Sequence, residues 1–351
     1  MRGRALAPPN PQTPPAHQNS NPVKIEIHDS LDAVGASAWD ALQGASRLRS
    51  PFLAWTWQSE WVRAFGDGRR LEVRRVTDGT GQVVALLPLI EIAPGHLMFT
   101  GGSDVSDYLD LIALPDREEE AWTALLSARA ADPSTWELHA VPAASPTVTA
   151  MPALAAAAGL SVTSTVEERC PVLQLPSTWD AYLASLPSKH RHELSRKIRR
   201  FEREEPSGRI TIETTPAGIA ARLDDFLALH RASRVGKARF MDERMEGFFR
   251  RVIVALAEQG MARLALLDTP AGPVASFVTF EWDDRVGLYN SGFRPDSASL
   301  SPGLVLLAGL VRDALERRHR CFDFLRGEER YKYEFGSVPE AVHVVTIEGR
   351  V

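Results

Sequence analysis

Two stretches of this chain repeat one pattern, and the repeat limits the possible folds more than any other feature. LEVRRVTDGTGQVVALLPLIEI starts at Leu71 and MARLALLDTPAGPVASFVTFEW at Met261. Each is a pair of alternating apolar runs around a Gly-containing turn. Superposing Gly81 on Gly272 gives an offset of 191, at which Val83 meets Val274, Leu86 meets Phe277 and Leu89 meets Phe280. The order of the succeeding elements repeats too. After the first hairpin come strand-like HLMFTGG and DYLDLIAL, a helix predicted over Glu118 to Ala130, and the strand WELHAV. After the second come RVGLYNSGF, a loop, a helix predicted over Pro302 to Arg318, and CFDFL. Antiparallel strands, then a helix, then one more strand predict a mixed sheet in each half, that is, a duplicated α/β domain.

At 351 residues the chain suits two domains. Residues 1–22, rich in Pro, Asn and Gln without hydrophobic periodicity, read as a disordered tail. The expected domains are 23–168 and 169–351, with a boundary around Thr165 to Gln174, where Pro171 and Pro176 fit a linker. KIEIHD should open the first domain, followed by a helical segment from Asp32 to Phe65. Its Phe52, Trp55, Trp57, Trp61 and Phe65 suit core packing against a sheet, or an aromatic-lined groove.

A net charge of −5 gives no general case for nucleic-acid binding. Cys170 and Cys321 are far apart, which fits a reducing compartment, and no apolar run approaches the ~18–20 residues that span a bilayer. The start MRGRALAPPNPQTPP lacks the apolar core of a secretory signal, so a cytoplasmic protein is expected. Neither HExxH nor CxxC occurs, so no metal is expected; GxSxG, a Walker loop and GxGxxG are also missing.

Five segments can carry chemistry. Ser301 suits a helix N-cap, Pro302 the first helical position, and Gly303 close approach of a ligand, with Leu304 opening an apolar helix body. A buried helix start of this kind binds phosphate, although an ordinary capped helix reads the same way. The corresponding helix of the first half starts PDREEEAW, whose acidic turn would repel phosphate. FDFLRGEERYKYEFG runs a hydrophobic strand into Arg326, Glu328, Arg330, Tyr331 and Lys332, charges that are either catalytic or simply solvated. KHRHELSRKIRRFEREE is a basic helix, either a solvated face or a place where Lys189, Arg191 and Arg196 meet an anionic substrate. GGSDVSDYLDL sets Asp104, Asp107 and Asp110 around Tyr108, to receive an acceptor amine or to cap a turn. LHRASRVGKARF adds His230, Arg234 and Lys237 as a second acceptor wall.

At these residues the chain resembles a family. PFLAWTWQSEWVRAFG, GGSDVSDYLD, KHRHELSRKIRR and above all FDFLRGEERYKYEFG look like GNAT-superfamily proteins with a BioF2-like acetyltransferase domain, often of cellulose or exopolysaccharide biosynthesis. These are similar in architecture to the Fem aminoacyl transferases. The resemblance spans roughly residues 25 to 345 and implies tandem GNAT-like domains, with the active site in the second. It implies acetyl-CoA or another acyl-CoA as co-substrate and an amine acceptor, on a small molecule or glycan precursor. By it, Tyr331 and Lys332 match the aromatic–Lys pair at the transfer site of Fem-like enzymes. The expected enzyme is an acyltransferase moving groups other than aminoacyl. Lys332 would stabilise the oxyanion, Tyr331 or Tyr289 protonate the thiolate, and Asp107 or Glu328 take the amine proton. The RxxGxG-type run is absent, so aminoacyl-tRNA stays open as donor, as does a non-catalytic binding protein.

Overall fold

The computed structural model describes residues 23–129 and 132–349; the expected tail at 1–22 lies outside them. The first half runs β1 (Lys24–His28), α1 (Ala36–Ala45), α2 (Trp55–Phe65), β2 (Leu71–Thr77), β3 (Val83–Ala93), β4 (His96–Phe99) and β5 (Ile112–Ala113). It continues with α3 (Glu118–Ala128), β6 (Thr135–Pro142), α4 (Pro146–Thr149), α5 (Met151–Ala158) and β7 (Ser161–Gln174). Helices α6 (Trp179–Ser185) and α7 (Ser188–Glu204) lead into the second half. There β8 (Arg209–Glu213), α8 (Pro216–Ser233), α9 (Val235–Phe240), α10 (Glu243–Glu258), β9 (Ala262–Thr269), β10 (Gly272–Trp282) and β11 (Arg285–Phe293) come in turn. The chain closes with α11 (Pro302–Glu316), β12 (Cys321–Asp323), α12 (Arg330–Glu334) and β13 (Val338–Glu348).

The predicted repeat is present in the element order, and both halves contribute to one mixed sheet. Its order is β1-β2-β3-β4-β6-β13-β7-β12-β11-β10-β9-β8, with β5 paired to β3. The last strand of each half has crossed over. β7 closes the first half yet pairs with β12 of the second, and β13 closes the second yet pairs with β6 of the first. The two then pair with each other from Val338↔Val172 to Glu348↔Ser161. The stretch read as a linker, Thr165 to Gln174, is therefore strand. Its Pro171 stands opposite Pro339, so the two residues that lack an N–H share one register position.

Smaller differences have local causes. The helical stretch predicted from Asp32 to Phe65 is two helices broken by a 3₁₀ turn at Pro51–Leu53, where Ser50 Oγ accepts from Phe52 N. DYLDLIAL is strand only at Ile112–Ala113, because Asp110 is taken by Ser145 Oγ and Thr147 Oγ1, each at 2.5 Å. The aromatic segment packs as core, and that core continues across the halves. Trp57, fully buried, stands edge-on to Phe248 of α10 (5.2 Å, 84°) and to Tyr289 of β11 (5.6 Å, 85°). A second core lies on the other face of the second-half sheet, under α6, α7 and α11.

Where β13 passes between β6 and β7, both neighbours are bulged. Glu167 drops out of the β7–β13 register, and His139 and Ala140 out of β6–β13. Glu167 spans the gap, accepting from Ala140 N and His139 Nδ1 at 2.8 Å each. The Glu167 bond, with Glu137 at 3.1 Å, holds the His139 imidazole above its ordinary 6.5 against the opposing effect of burial. Burial acts to raise Glu167, but the His139 and Ala140 bonds prevail and hold it below its ordinary 4.5. The histidine's contribution is complete below pH 6.5 and fades as pH rises through its raised value. The glutamate's is complete above pH 4.5 and fades as pH falls. The melting-temperature difference between the parent and Glu167→Gln should thus peak at about pH 5–6; a difference flat from about pH 5 to 8 would rule the linkage out.

Candidate active site

β11 and β12 run parallel only from Arg285↔Cys321 to Gly287↔Asp323, after which β12 ends and β11 continues to Phe293. The sheet is open beyond that point, and the first turn of α11 stands at the opening. A cavity of about 340 Å³ forms there. Phe277, Ser291 and Phe293 line it from the sheet and Ser301 to Leu304 from α11, and Arg234, Lys237, Glu329 and Tyr331 complete the lining.

The helix start is more open than the sequence suggests. Ser301 was expected to cap it, but Ser301 sits in the left-handed region (φ 52, ψ 47) and its side chain makes no cap bond. A capping side chain reaches the first-turn amides from extended backbone, which Ser301 lacks. Leu304 N and Val305 N turn back to Ser301 O at 3.0 and 3.2 Å, and Pro302 has no N–H. The Gly303 N–H finds no acceptor among the described residues. A Cβ built on Gly303 would meet nothing within 4 Å, so the space beside this amide is free. The partial positive charge of α11 therefore faces an open cavity with two cations on its wall. The matching helix of the first half is closed instead, since Glu118 in its first turn binds Arg47 at 2.9 Å.

Burial, reinforced by the nearby Glu329 carboxylate, pushes the Tyr331 phenol up, so it stays protonated as a donor. Burial, then the Arg234 charge, holds Lys237 down at about 8; its Nζ donates to Ser291 O and, at 3.2 Å, to Ser291 Oγ. A second cavity of about 490 Å³ shares Leu304 and Tyr331 with the first and is walled by Lys189, His190, Glu193 and Lys197 of α7 and by Arg330 and Glu334. The basic helix thus borders the site. Arg196 is tied to Glu193 (2.9 and 2.8 Å), whereas Arg191 has no side-chain partner among the described residues.

The other predicted residues lie elsewhere. GGSDVSDYLD and DFLRG, read as separate sites, bind each other across the two halves. Arg326 pairs with Asp107 at 2.9 Å and donates to Ser103 O, and Tyr108 OH donates to Asp323 Oδ2 at 2.9 Å. Tyr289 OH donates to Val105 O at 3.0 Å, and its ring stacks on Phe280 (4.6 Å). None of these lines the cavity. Glu328 accepts from Tyr333 OH at 2.9 Å, and Asp104 is exposed. His230 is buried, with Nε2 3.0 Å from Asn290 Oδ1, and burial, then Lys237, pushes it down to about 4. Lys332 is buried, its Nζ donating to Arg326 O (2.8 Å) and Gly327 O (3.0 Å) and pairing with Glu329 (3.0 Å). Sequence reasoning missed Glu329 and Asp323. Glu329 is one of several charges in a row, and Asp323 sits between Phe322 and Phe324 in what reads as plain hydrophobic strand. No group of three or more His, Cys, Asp or Glu among the described residues is placed to hold a metal ion, and no described helix is long and apolar enough to cross a membrane.

This opening, with its helix start and two cations, falls inside the one segment that matches a known family. Residues 188–333 match the model of the acetyltransferase (GNAT) domain. No curated protein matches the chain in sequence. The fold is shared with FemX, at TM-score 0.63 and 12% identity over 91% of this chain and 96% of that one. It is shared with the C-terminal domain of a putative lysylphosphatidylglycerol synthetase from Agrobacterium fabrum, at 0.59 and 12% over 91% and 93%. A tandem GNAT protein from the clavulanic acid pathway gives 0.50 and 14% over 94% and 100%. The mixed α/β, GNAT-type fold is as expected. The restriction to groups other than aminoacyl is corrected: the same fold serves FemX and a synthetase named for an aminoacylated lipid, so it excludes no aminoacyl donor.

Proposed function

We propose that the second half transfers an acyl group, aminoacyl groups included, from a phosphate-bearing activated donor to an amine. The observation that carries this is the open start of α11, whose Gly303 N–H finds no acceptor among the described residues, in a cavity that Arg234, Lys237 and Tyr331 also line. Donor phosphates fit the helix start and the Arg234 guanidinium. The amine attacks the donor carbonyl, a C–N bond forms, and the C–S or C–O bond to the leaving group breaks. Tyr331 supplies the leaving atom's proton, and Glu329, which also lines the cavity, takes the proton the amine gives up. Acetyl-CoA or another acyl-CoA is the donor to test first, and the amine of a small molecule or glycan precursor the acceptor.

A charged tRNA is the second donor, favoured by Lys189 in the second cavity and by Arg191 on the same helix, which has no side-chain partner among the described residues. Titration calorimetry separates the two. Acetyl-CoA should bind, and Gly303→Asp, which sets a carboxylate against the phosphates without a steric clash, should weaken it by about tenfold or more. Charged tRNA should instead bind with a steep salt dependence that falls when Lys189 and Arg191 are neutralised. Binding of neither would sink the donor reading.

A further inference from the structure

The chain holds 40 Lys and Arg together, of which five are lysine: Lys24, Lys189, Lys197, Lys237 and Lys332. The other 40 − 5 = 35 are arginine, so wherever charge alone suffices this sequence uses arginine. Four of the five lysines nonetheless surround the site: Lys189 and Lys197 line the second cavity, Lys237 the first, and Lys332 holds the turn next to Glu329. What lysine offers and arginine does not is an amine that loses its proton and becomes a nucleophile.

Lys237 is set apart by position, since it lines the inner cavity, with its amine on Ser291, and Lys332 does not. Lys332 has its amine tied to two carbonyls and to Glu329, and Lys197 leans on Glu193 at 3.6 Å. Lys189 stands exposed at the cavity's outer rim. The Lys237 amine lies in the inner cavity against Ser291, on the length of β11 beyond its last pairing with β12 at Gly287. Gly303 and Ser291 line the same cavity, so a donor with its phosphates at Gly303 and its arm in the cavity can present its carbonyl to Lys237. Burial and the neighbouring Arg234 also make this amine easy to deprotonate near neutrality.

We propose that Lys237 is a self-acylation site, whose amine takes the acyl group from a thioester held in the cavity. This rests on the donor reading above. The N–C bond forms, the C–S bond breaks, and the thiolate leaves with the proton released by the amine. The products are an amide on Lys237 and a free thiol. The amide is neutral, so the cavity wall loses one of its two cations and donor binding weakens as the modification accumulates.

The test incubates the full chain with acetyl-CoA at about pH 8 and maps acetylated lysines by mass spectrometry, with calorimetric binding of acetyl-CoA measured on the same sample. One acetyl group should appear at Lys237, at least about tenfold faster than at the exposed Lys24 and Lys189. Lys237→Arg should abolish it, and Gly303→Asp should slow it in step with donor binding. Binding without an adduct, equal labelling of all five lysines, or a Lys237 rate untouched by Gly303→Asp would each overturn self-acylation and leave the donor reading standing. No binding and no adduct would remove both.

Discussion

Asp323→Ala should cost about 3–5 kcal/mol of stability, a larger loss than any other single change named for this chain. The Asp323 carboxylate is fully buried on β12, and three donors converge on it: Tyr108 OH at 2.9 Å, Leu325 N at 2.8 Å, and the Arg285 guanidinium. Its backbone stands between Gly287 of β11 and Val172 of β7, so the carboxylate ties first-half loop, crossed-over strand and second-half sheet together. Removing it strands a largely buried guanidinium and a buried hydroxyl, and an unmatched buried charge costs far more than the pair contributes. Asp323→Asn keeps one acceptor oxygen, for Leu325 N, and sets an amide N–H donor against Tyr108 and Arg285, where the Tyr108 hydroxyl can turn to accept; it should cost less than alanine. Urea denaturation measures both. A loss under about 0.5 kcal/mol for alanine would show that the network does not hold the halves together.

Lys332→Ala should cut transfer by about a hundredfold and also weaken donor binding, with a stability loss of about 2–4 kcal/mol. An ammonium has three N–H bonds, and in this structure they meet Arg326 O, Gly327 O and Glu329. Those carbonyls belong to a turn in which Leu325 (φ 54) and Gly327 (φ 106) are both left-handed, a conformation that needs outside support at a leucine. Lys332 thus acts on the cavity through the turn that presents Glu329 and Tyr331, as a positioning residue. The readout that separates this from an oxyanion contact is the split between binding and rate. A direct oxyanion role predicts lower kcat with unchanged donor Kd, whereas a loosened turn moves both. Unchanged donor affinity in Lys332→Ala would overturn the positioning role.

Much of the fold was legible because its signals are local. Alternating apolar runs around Gly81 and Gly272 mark hairpins wherever they occur, and the SPG start with an apolar body marks α11. KHRHELSRKIRR is helical as predicted. The crossing of β7 and β13 was not legible, because it is a matter of partners and not of propensity. β7 is polar and broken by Pro171, and reads as a connector until Pro339 is seen opposite it. The site divides the same way. The helix start, Arg234, Lys237 and Tyr331 were visible as residue types in the right order. Their separation from Asp107, Tyr108, Tyr289 and Arg326 was not, since polar groups that pair across 184 or more residues look, in sequence, like groups awaiting a substrate.

The crossed strands also bear on ancestry and on engineering. Two half-length chains that traded their final strands and were later joined end to end would give this connectivity. By the same logic, no scissors cut through the chain yields two intact halves. A fragment ending before β7 leaves the second half's sheet short of a strand, and one beginning after it leaves β13 with no β6 to lie against. Anyone wishing to build hybrids from this protein would have to graft each half together with the terminal strand of the other.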